Sequence, residues 1–152
     1  VYLCENNKYG MSVSVERASS VVDLTKKALA FDMPSENVDG QDVLAVRESV
    51  NKWANYAREG NGPSFIVSNT YRYYGHSRSD PRVYRTKDEE RFWKERDPII
   101  MFSNKMKEQG ILKDEEIKEI DSLTDKEIEE ATEYAINSPE PGPEDLYTDL
   151  YV

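Results

Sequence analysis

Apolar and polar positions change their period several times along this chain. Val1 to Glu5 is a short apolar run that gives way to the polar, glycine-containing stretch ENNKYG. That change predicts a buried strand whose C-terminal end opens into a turn. In open α/β sheets, that end of a strand is where ligands bind. From about Asp23 to Phe31 the pattern fits a short helix, capped by Asp23 and stopped at Met33-Pro34. The following ENVDG predicts a brief strand and a turn. Asp42 then caps a helix in which Val43, Val46, Val50, Trp53, Ala54 and Ala57 recur at spacings of three and four. Gly60, Gly62 and Pro63 end it. Ser64 to Tyr73 is rich in β-branched and aromatic residues and predicts the next strand. Strands alternating with helices of this length predict parallel pairing with right-handed crossovers, so the fold class is α/β.

The pattern changes after residue 86. Thr86 and Glu89 form a T-x-x-E capping box that starts a helix through Phe92 and Trp93. Asp97-Pro98 interrupts it, and Ile99 to Ile111 resumes with Ile99, Phe102 and Met106 on one face. Asp114 to Asn137 carries Ile117, Ile120, Ile128, Ala131 and Ala135 on a narrow stripe with acids elsewhere. This predicts a helix lying on a surface, with a break near Thr124. The remainder, SPEPGPEDLYTDLYV, is too rich in proline to be helical throughout and reads as a tail draped over the body or over a partner. The expected organisation is thus an α/β part over 1–86, a helical extension over 87–138 and a tail over 139–152.

Charge sharpens that division. Residues 1–86 hold 11 basic and 10 acidic side chains, whereas 87–152 hold 9 and 20, so the whole net charge of −10 comes from the C-terminal part. Such acidity argues against nucleic acid as a partner of that half. The chain has 152 residues, enough to bury a core. Its single cysteine, Cys4, excludes an internal disulfide, and no Cys/His cluster offers a zinc site, which suits a reducing compartment. No apolar run approaches the roughly 20 residues needed to cross a bilayer, so no membrane is expected as a partner. The chain opens on Val1-Tyr2-Leu3-Cys4 without Met, which reads as a segment from inside a longer protein.

Within this frame one stretch reverses the sign of charge. Thr70 to Arg85, TYRYYGHSRSDPRVYR, sets Arg72, Arg78, Arg82 and Arg85 against one acid, Asp80. Arginine offers a planar fork of donors, so the run points to an anion nearby. His76, the only histidine, can titrate or donate a hydrogen bond near neutral pH; taken alone it is also what an ordinary surface loop carries. Asn7 and Tyr9, in the turn after the first strand, can supply an amide oxygen and a backbone carbonyl to Mg²⁺. A satisfied polar turn is the plainer alternative. Tyr71, Tyr73, Tyr74 and Tyr84, interleaved with arginines, also match a stacking platform for single-stranded nucleic acid. The acidity of the rest of the chain speaks against that.

Read together, CENNKYGMSVSVERA, VDGQDVLAVRES, GPSFIVSNTYRYYGHSRSDPRVYRT and FWKERDPI fall in the order and spacing of one family. The chain resembles the C-terminal half of the alpha subunit of the thiamine diphosphate-dependent first component of 2-oxo acid dehydrogenase complexes, of the pyruvate or acetoin type. The resemblance covers nearly the whole chain. It implies the C-terminal part of a thiamine diphosphate-binding fold: parallel strands with crossover helices, followed by a helical C-terminal extension.

Position by position, the resemblance implies that Asn7 ligates Mg²⁺ and that the backbone carbonyl of Tyr9 joins it. It implies that His76 contacts the diphosphate side of the cofactor and helps stabilise the reacting centre. Ser77 and Ser14 match positions phosphorylated by dedicated kinases in mitochondrial members. Tyr74 stands where mitochondrial pyruvate enzymes carry another histidine, and the loop is one residue shorter after Pro81. The family's Gly-Asp-Gly segment, source of the acidic Mg²⁺ ligand, is expected just before Val1, about 30 residues earlier in the chain, the spacing of a strand-helix-strand phosphate site. The implied partners are the beta subunit, in an α₂β₂ assembly, and the lipoyl domain of the acyltransferase component. The implied compartment is the cytoplasm, or the mitochondrial matrix in a eukaryote. A rival of another class is a non-catalytic binding or assembly module on the same scaffold.

Overall fold

A computed structural model describes residues 1–150, so the last two residues of the expected tail lie outside the described residues. The chain divides into two compact units, Val1–Met106 and a second from Lys107 onward.

In the first unit, strands β1 (Tyr2–Asn6), β4 (Ser35–Asp39) and β5 (Phe65–Asn69) form a parallel sheet in the order β1-β5-β4. Register is matched at the carboxyl ends, where Asn69 lies opposite both Asn6 and Asp39. Strands β2 (Tyr9–Gly10) and β3 (Val13–Ser14) form a small antiparallel hairpin immediately after β1, followed by the one-turn helix α1 (Val15–Ala18). Neither was expected from the sequence, because two-residue strands carry no readable period.

Helix α2 (Val43–Arg58) begins where Asp42 accepts from the backbone N–H groups of Leu44 and Ala45, as the sequence requires. It covers one sheet face through Val38, Trp53 and Ile66, with Ala45, Val46 and Tyr56 packed alongside. The line it buries differs from the expected one: Ser49 is buried, whereas Val43 and Val50 are exposed. Valines at those two places lie about 100° from the sheet-facing line, and only the docking angle of the helix decides which side turns inward. On the other face, Val67 is buried, as is Ala28 of the 3-10 helix Leu24–Phe31. Asp23 caps that helix by accepting from Thr25. It also accepts from Asn37 on β4, at 3.0 Å.

Three further expectations are corrected. β1 is not buried: Tyr2 and Leu3 are about three-fifths exposed, because β1 lies at the edge of the three-stranded sheet formed by the described residues. β5 ends at Asn69 rather than Tyr73, since the chain leaves the sheet after Thr70 to bury the Tyr71 ring. Helix α4 (Pro98–Glu108), capped by Asp97 through the N–H of Ile99, buries Met106 but leaves Ile99 exposed.

Helix α3 (Lys87–Glu95) starts at Thr86, whose hydroxyl accepts from the N–H of Glu89 at 3.1 Å. In the second unit, helix α5 runs unbroken from Asp114 to Asn137 and buries none of its residues. Thr124 does not interrupt it. Its hydroxyl instead donates back to the carbonyl of Ile120, at 2.9 Å, a bond that satisfies the side chain inside a continuous helix. No helix among the described residues is long and apolar enough to cross a membrane.

Candidate functional site

The three parallel strands are tied side to side by amides, from the carboxyl ends of β1 and β5 to the middle of β4. Asn6 donates to the Asn69 side-chain oxygen at 3.0 Å, and Asn69 donates to that of Asn37 at 3.2 Å. Lys8 also reaches the Asn69 oxygen, at 3.0 Å. Gly40 passes close beside this edge, its N–H on the carbonyl of Asn69 at 2.8 Å. A Cβ there would lie 2.5 Å from Ser68 Oγ and 2.8 Å from that carbonyl oxygen, so only glycine fits the approach.

The turn after β1 is shaped by its own side chains. Lys8 sits at φ 76°, in the left-handed region, and Asn7 Oδ1 accepts from the N–H of Tyr9 at 3.2 Å. This Asx turn is what an Asn-x-Tyr sequence favours locally. Ser14 pairs with Tyr9 in the hairpin register. Asn7 and Tyr9 line a concavity of ≈ 320 Å³, together with Cys4, Val15, Leu24 and Lys27. Their amide and carbonyl oxygens suit a hard divalent cation, but they make two of the roughly six oxygens Mg²⁺ takes. Among the described residues no three His, Cys, Asp or Glu gather to complete such a shell.

The loop from Thr70 to Arg85 is built around Asp80. Its carboxylate accepts from the N–H of His76 at 2.8 Å, the N–H of Arg82 at 2.8 Å and the Tyr84 hydroxyl at 2.6 Å. The Tyr84 bond first, then the two backbone bonds, hold the Asp80 carboxyl down at about 2. Gly75 is buried against it. His76 and Ser77 line a second, open concavity of ≈ 510 Å³ with Arg72, Tyr74, Arg78 and Arg82, and Ser77 Oγ lies 3.3 Å from Ser79 Oγ. Asn7 and His76 thus lie in two separate concavities.

The arginines are not a free anion-binding cluster. Arg85 is 7% exposed, with its guanidinium 4.7 Å from the Tyr9 ring, 5.0 Å from Tyr71 and 5.3 Å from Tyr84. It donates to the carbonyl of Arg72 at 2.5 Å. Arg82 donates to the carbonyl of Tyr73 at 2.9 Å and pairs with Glu90 at 3.4 Å. Arg72 donates to the carbonyl of His76 at 3.3 Å. Three of the four therefore order the loop; a charged run in sequence does not say whether its cations turn outward.

An aromatic cluster gathers around Tyr9, which lines the first concavity. Tyr71 stacks on Trp93 with planes 3° apart and centroids at 5.3 Å. Tyr9 meets Tyr71 edge-on and Tyr84 at a tilt. The Tyr9 hydroxyl donates to the Glu89 carboxylate, at 2.9 and 3.0 Å from its two oxygens. Burial first, then the Glu89 bond and charge, push the Tyr9 phenol up to about 12, and burial leads the rise of Tyr71 to about 12. Gln41, 2% exposed, clamps the start of the loop: it accepts from the Thr70 hydroxyl at 2.7 Å and donates to the Arg96 carbonyl at 2.8 Å.

Sequence reasoning missed the organising roles of Asp80, Arg85 and Gln41. Only Asp80 carried a signal, as an Asp-Pro pair of the kind that initiates turns. Glu89 was visible as a capping residue, but its carboxylate bonds Tyr9 rather than returning to Thr86.

Comparison with known proteins places this architecture. The family described as "Dehydrogenase E1 component" matches residues 1–144. The testis-specific, mitochondrial form of the pyruvate dehydrogenase E1 component subunit alpha from Rattus norvegicus is 42% identical over 99% of this chain and 39% of its own length. The mitochondrial subunit alpha from Sminthopsis macroura is 44% identical over 99% of this chain and 42% of its own. The somatic, mitochondrial form from Sus scrofa is 44% identical, over 99% and 39%. The chain therefore spans about two-fifths of the length of the curated relatives it matches.

Proposed function

The chain belongs to the dehydrogenase E1 component family, and from that premise we propose that it is part of the alpha subunit of a thiamine diphosphate-dependent dehydrogenase. The reaction proposed is oxidative decarboxylation of pyruvate, with the acetyl unit passed to a lipoyl domain. The observation that carries this reading is the match over residues 1–144, shared with relatives named as pyruvate dehydrogenase E1 alpha subunits. The partners proposed are a beta subunit, in an α₂β₂ assembly, and the lipoyl domain of the acyltransferase component. The compartment is the cytoplasm of a bacterium or the mitochondrial matrix of a eukaryote.

When bound, thiamine diphosphate supplies the carbanion sink for decarboxylation. The protein's part is to position and to stabilise charge. Asn7 Oδ1 and the Tyr9 carbonyl are the oxygens this chain offers to Mg²⁺, and the bond from the Tyr9 N–H to Asn7 Oδ1 supports that role by holding the two residues together. His76, exposed on a loop whose backbone Asp80 holds, lines the ≈ 510 Å³ concavity, which supports a role there as a hydrogen-bond donor. A phosphate on Ser77 would bring up to two negative charges to that concavity and oppose an anionic cofactor; Ser14, opposite Tyr9, would do the same at the turn.

The test uses the full-length chain purified with its beta subunit. Pyruvate-dependent reduction of an artificial electron acceptor is expected, requiring thiamine diphosphate and Mg²⁺, and His76→Ala is expected to lose most of it. Turnover of acetoin instead of pyruvate would reassign the substrate. Cofactor binding without turnover of either would leave the non-catalytic module.

A further inference from the structure

The side chain of Tyr9 has no part in the function proposed above, which uses only its backbone. Yet it makes the longest-range side-chain hydrogen bond in the first unit, to Glu89, 80 residues away. One O–H stands 2.9 and 3.0 Å from the two carboxylate oxygens, so the phenol points at the middle of the carboxylate and the ring is fixed along its long axis. Across its faces and edges the ring is held by Tyr71, Tyr84 and the Arg85 guanidinium. Its backbone N–H is held by Asn7 Oδ1.

Glu89 makes this bond at the expense of a local one. Thr86 caps α3 by accepting from the Glu89 N–H. In a capping box the Glu side chain returns to the backbone N–H of the capping residue; here it bonds Tyr9 instead. A local preference given up for a distant contact is what a positioned site produces.

We propose that Glu89 is a positioning residue for the Asn7–Tyr9 oxygen pair, acting through the Tyr9 phenol. Through this bond the first turn of α3 and the arginine loop set where the Tyr9 carbonyl lies relative to Asn7 Oδ1. The inference rests on the reading of that pair as cation ligands.

The test is calorimetric titration of Mg²⁺ into the full-length chain assembled with its beta subunit, at saturating thiamine diphosphate. Glu89→Ala and Tyr9→Phe are each expected to weaken Mg²⁺ about tenfold, the size of a lost charge-assisted hydrogen bond. The double variant should be no weaker than Tyr9→Phe alone, because both remove one interaction. Glu89→Gln, which keeps an oxygen acceptor but not the charge, should recover part of the affinity. In turnover, the Glu89→Ala defect should appear as a raised Mg²⁺ requirement that is made good at high Mg²⁺. Tyr9→Phe leaves helix α3 intact and keeps the test valid if Glu89→Ala lowers stability. Asn7→Ala separates the two levels of argument. If it weakens Mg²⁺ while Glu89→Ala and Tyr9→Phe leave affinity unchanged, or if those two effects multiply, the positioning role is wrong and the ligand reading stands. If Asn7→Ala has no effect on Mg²⁺, the ligand reading is wrong and the inference goes with it.

Discussion

Gly75→Ala is the sharpest perturbation the loop offers. A Cβ at residue 75 would lie 2.5 Å from Asp80 Cβ, 2.7 Å from its Cγ and 2.8 Å from Oδ2. The first of these atoms is attached to the backbone, so a rotamer change at Asp80 cannot relieve the contact. Either the backbone around Asp80 shifts, or its carboxylate leaves the N–H groups of His76 and Arg82. Overpacking of this kind costs about 1–3 kcal/mol, which corresponds to a population of opened loop about 5- to 150-fold larger. The His76 and Arg82 amides both bond Asp80 at 2.8 Å, so they report the opening directly. Amide hydrogen exchange, followed by mass spectrometry on the assembled full-length protein, should show faster exchange over residues 76–82 by a factor in that range. Gly10→Ala is the control, since a Cβ there meets nothing within 4 Å. Exchange over 76–82 that stays within twofold of the parent in Gly75→Ala would refute the argument that Asp80 and Gly75 together order the loop.

Other consequences can be measured on the same protein. Asp80 has a depressed pKa, so its contribution to loop order is complete above the ordinary value of 3.8 and lost only as pH falls through about 2. After correction for intrinsic rates, His76 amide protection should therefore hold from pH 6 to 4, and a loss centred above pH 4 would contradict it. Trp53 is 8% exposed and donates from Nε1 to Glu36 at 2.8 Å, so Trp53→Ala should destabilise by about 3–5 kcal/mol in urea unfolding; a loss below about 1 kcal/mol would show that the α2–sheet interface is not the core. Gly40→Ala should cost about 1–3 kcal/mol by forcing β4 away from the Asn69 carbonyl, and an unchanged unfolding midpoint would argue against that close approach. The 152-residue chain by itself, for which only two cation oxygens are proposed, should give no saturable heat with micromolar thiamine diphosphate and Mg²⁺. Micromolar binding would mean that other residues of this chain complete the shell.

The amino-acid sequence determined what depends on near neighbours. Asp23, Asp42 and Thr86 were readable as caps because a short side chain and an N–H two or three residues on are always within reach of each other. The limits of α5 were readable for a related reason, since helix propensity and the proline-rich sequence after it act over single turns. Parallel pairing followed from connection length, and the turn at Asn7–Tyr9 from Asx geometry. Tertiary structure alone decided the order β1-β5-β4, the exposure of β1, the inward turn of Ser49 rather than Val50, and the burial of Arg85 among three tyrosines. It also decided that Glu89 answers Tyr9 rather than Thr86. The physical reason is the same in each case: these choices are settled by which surfaces meet when separate elements pack, across as many as 80 residues of chain. No local period or cap encodes the path that brings them together.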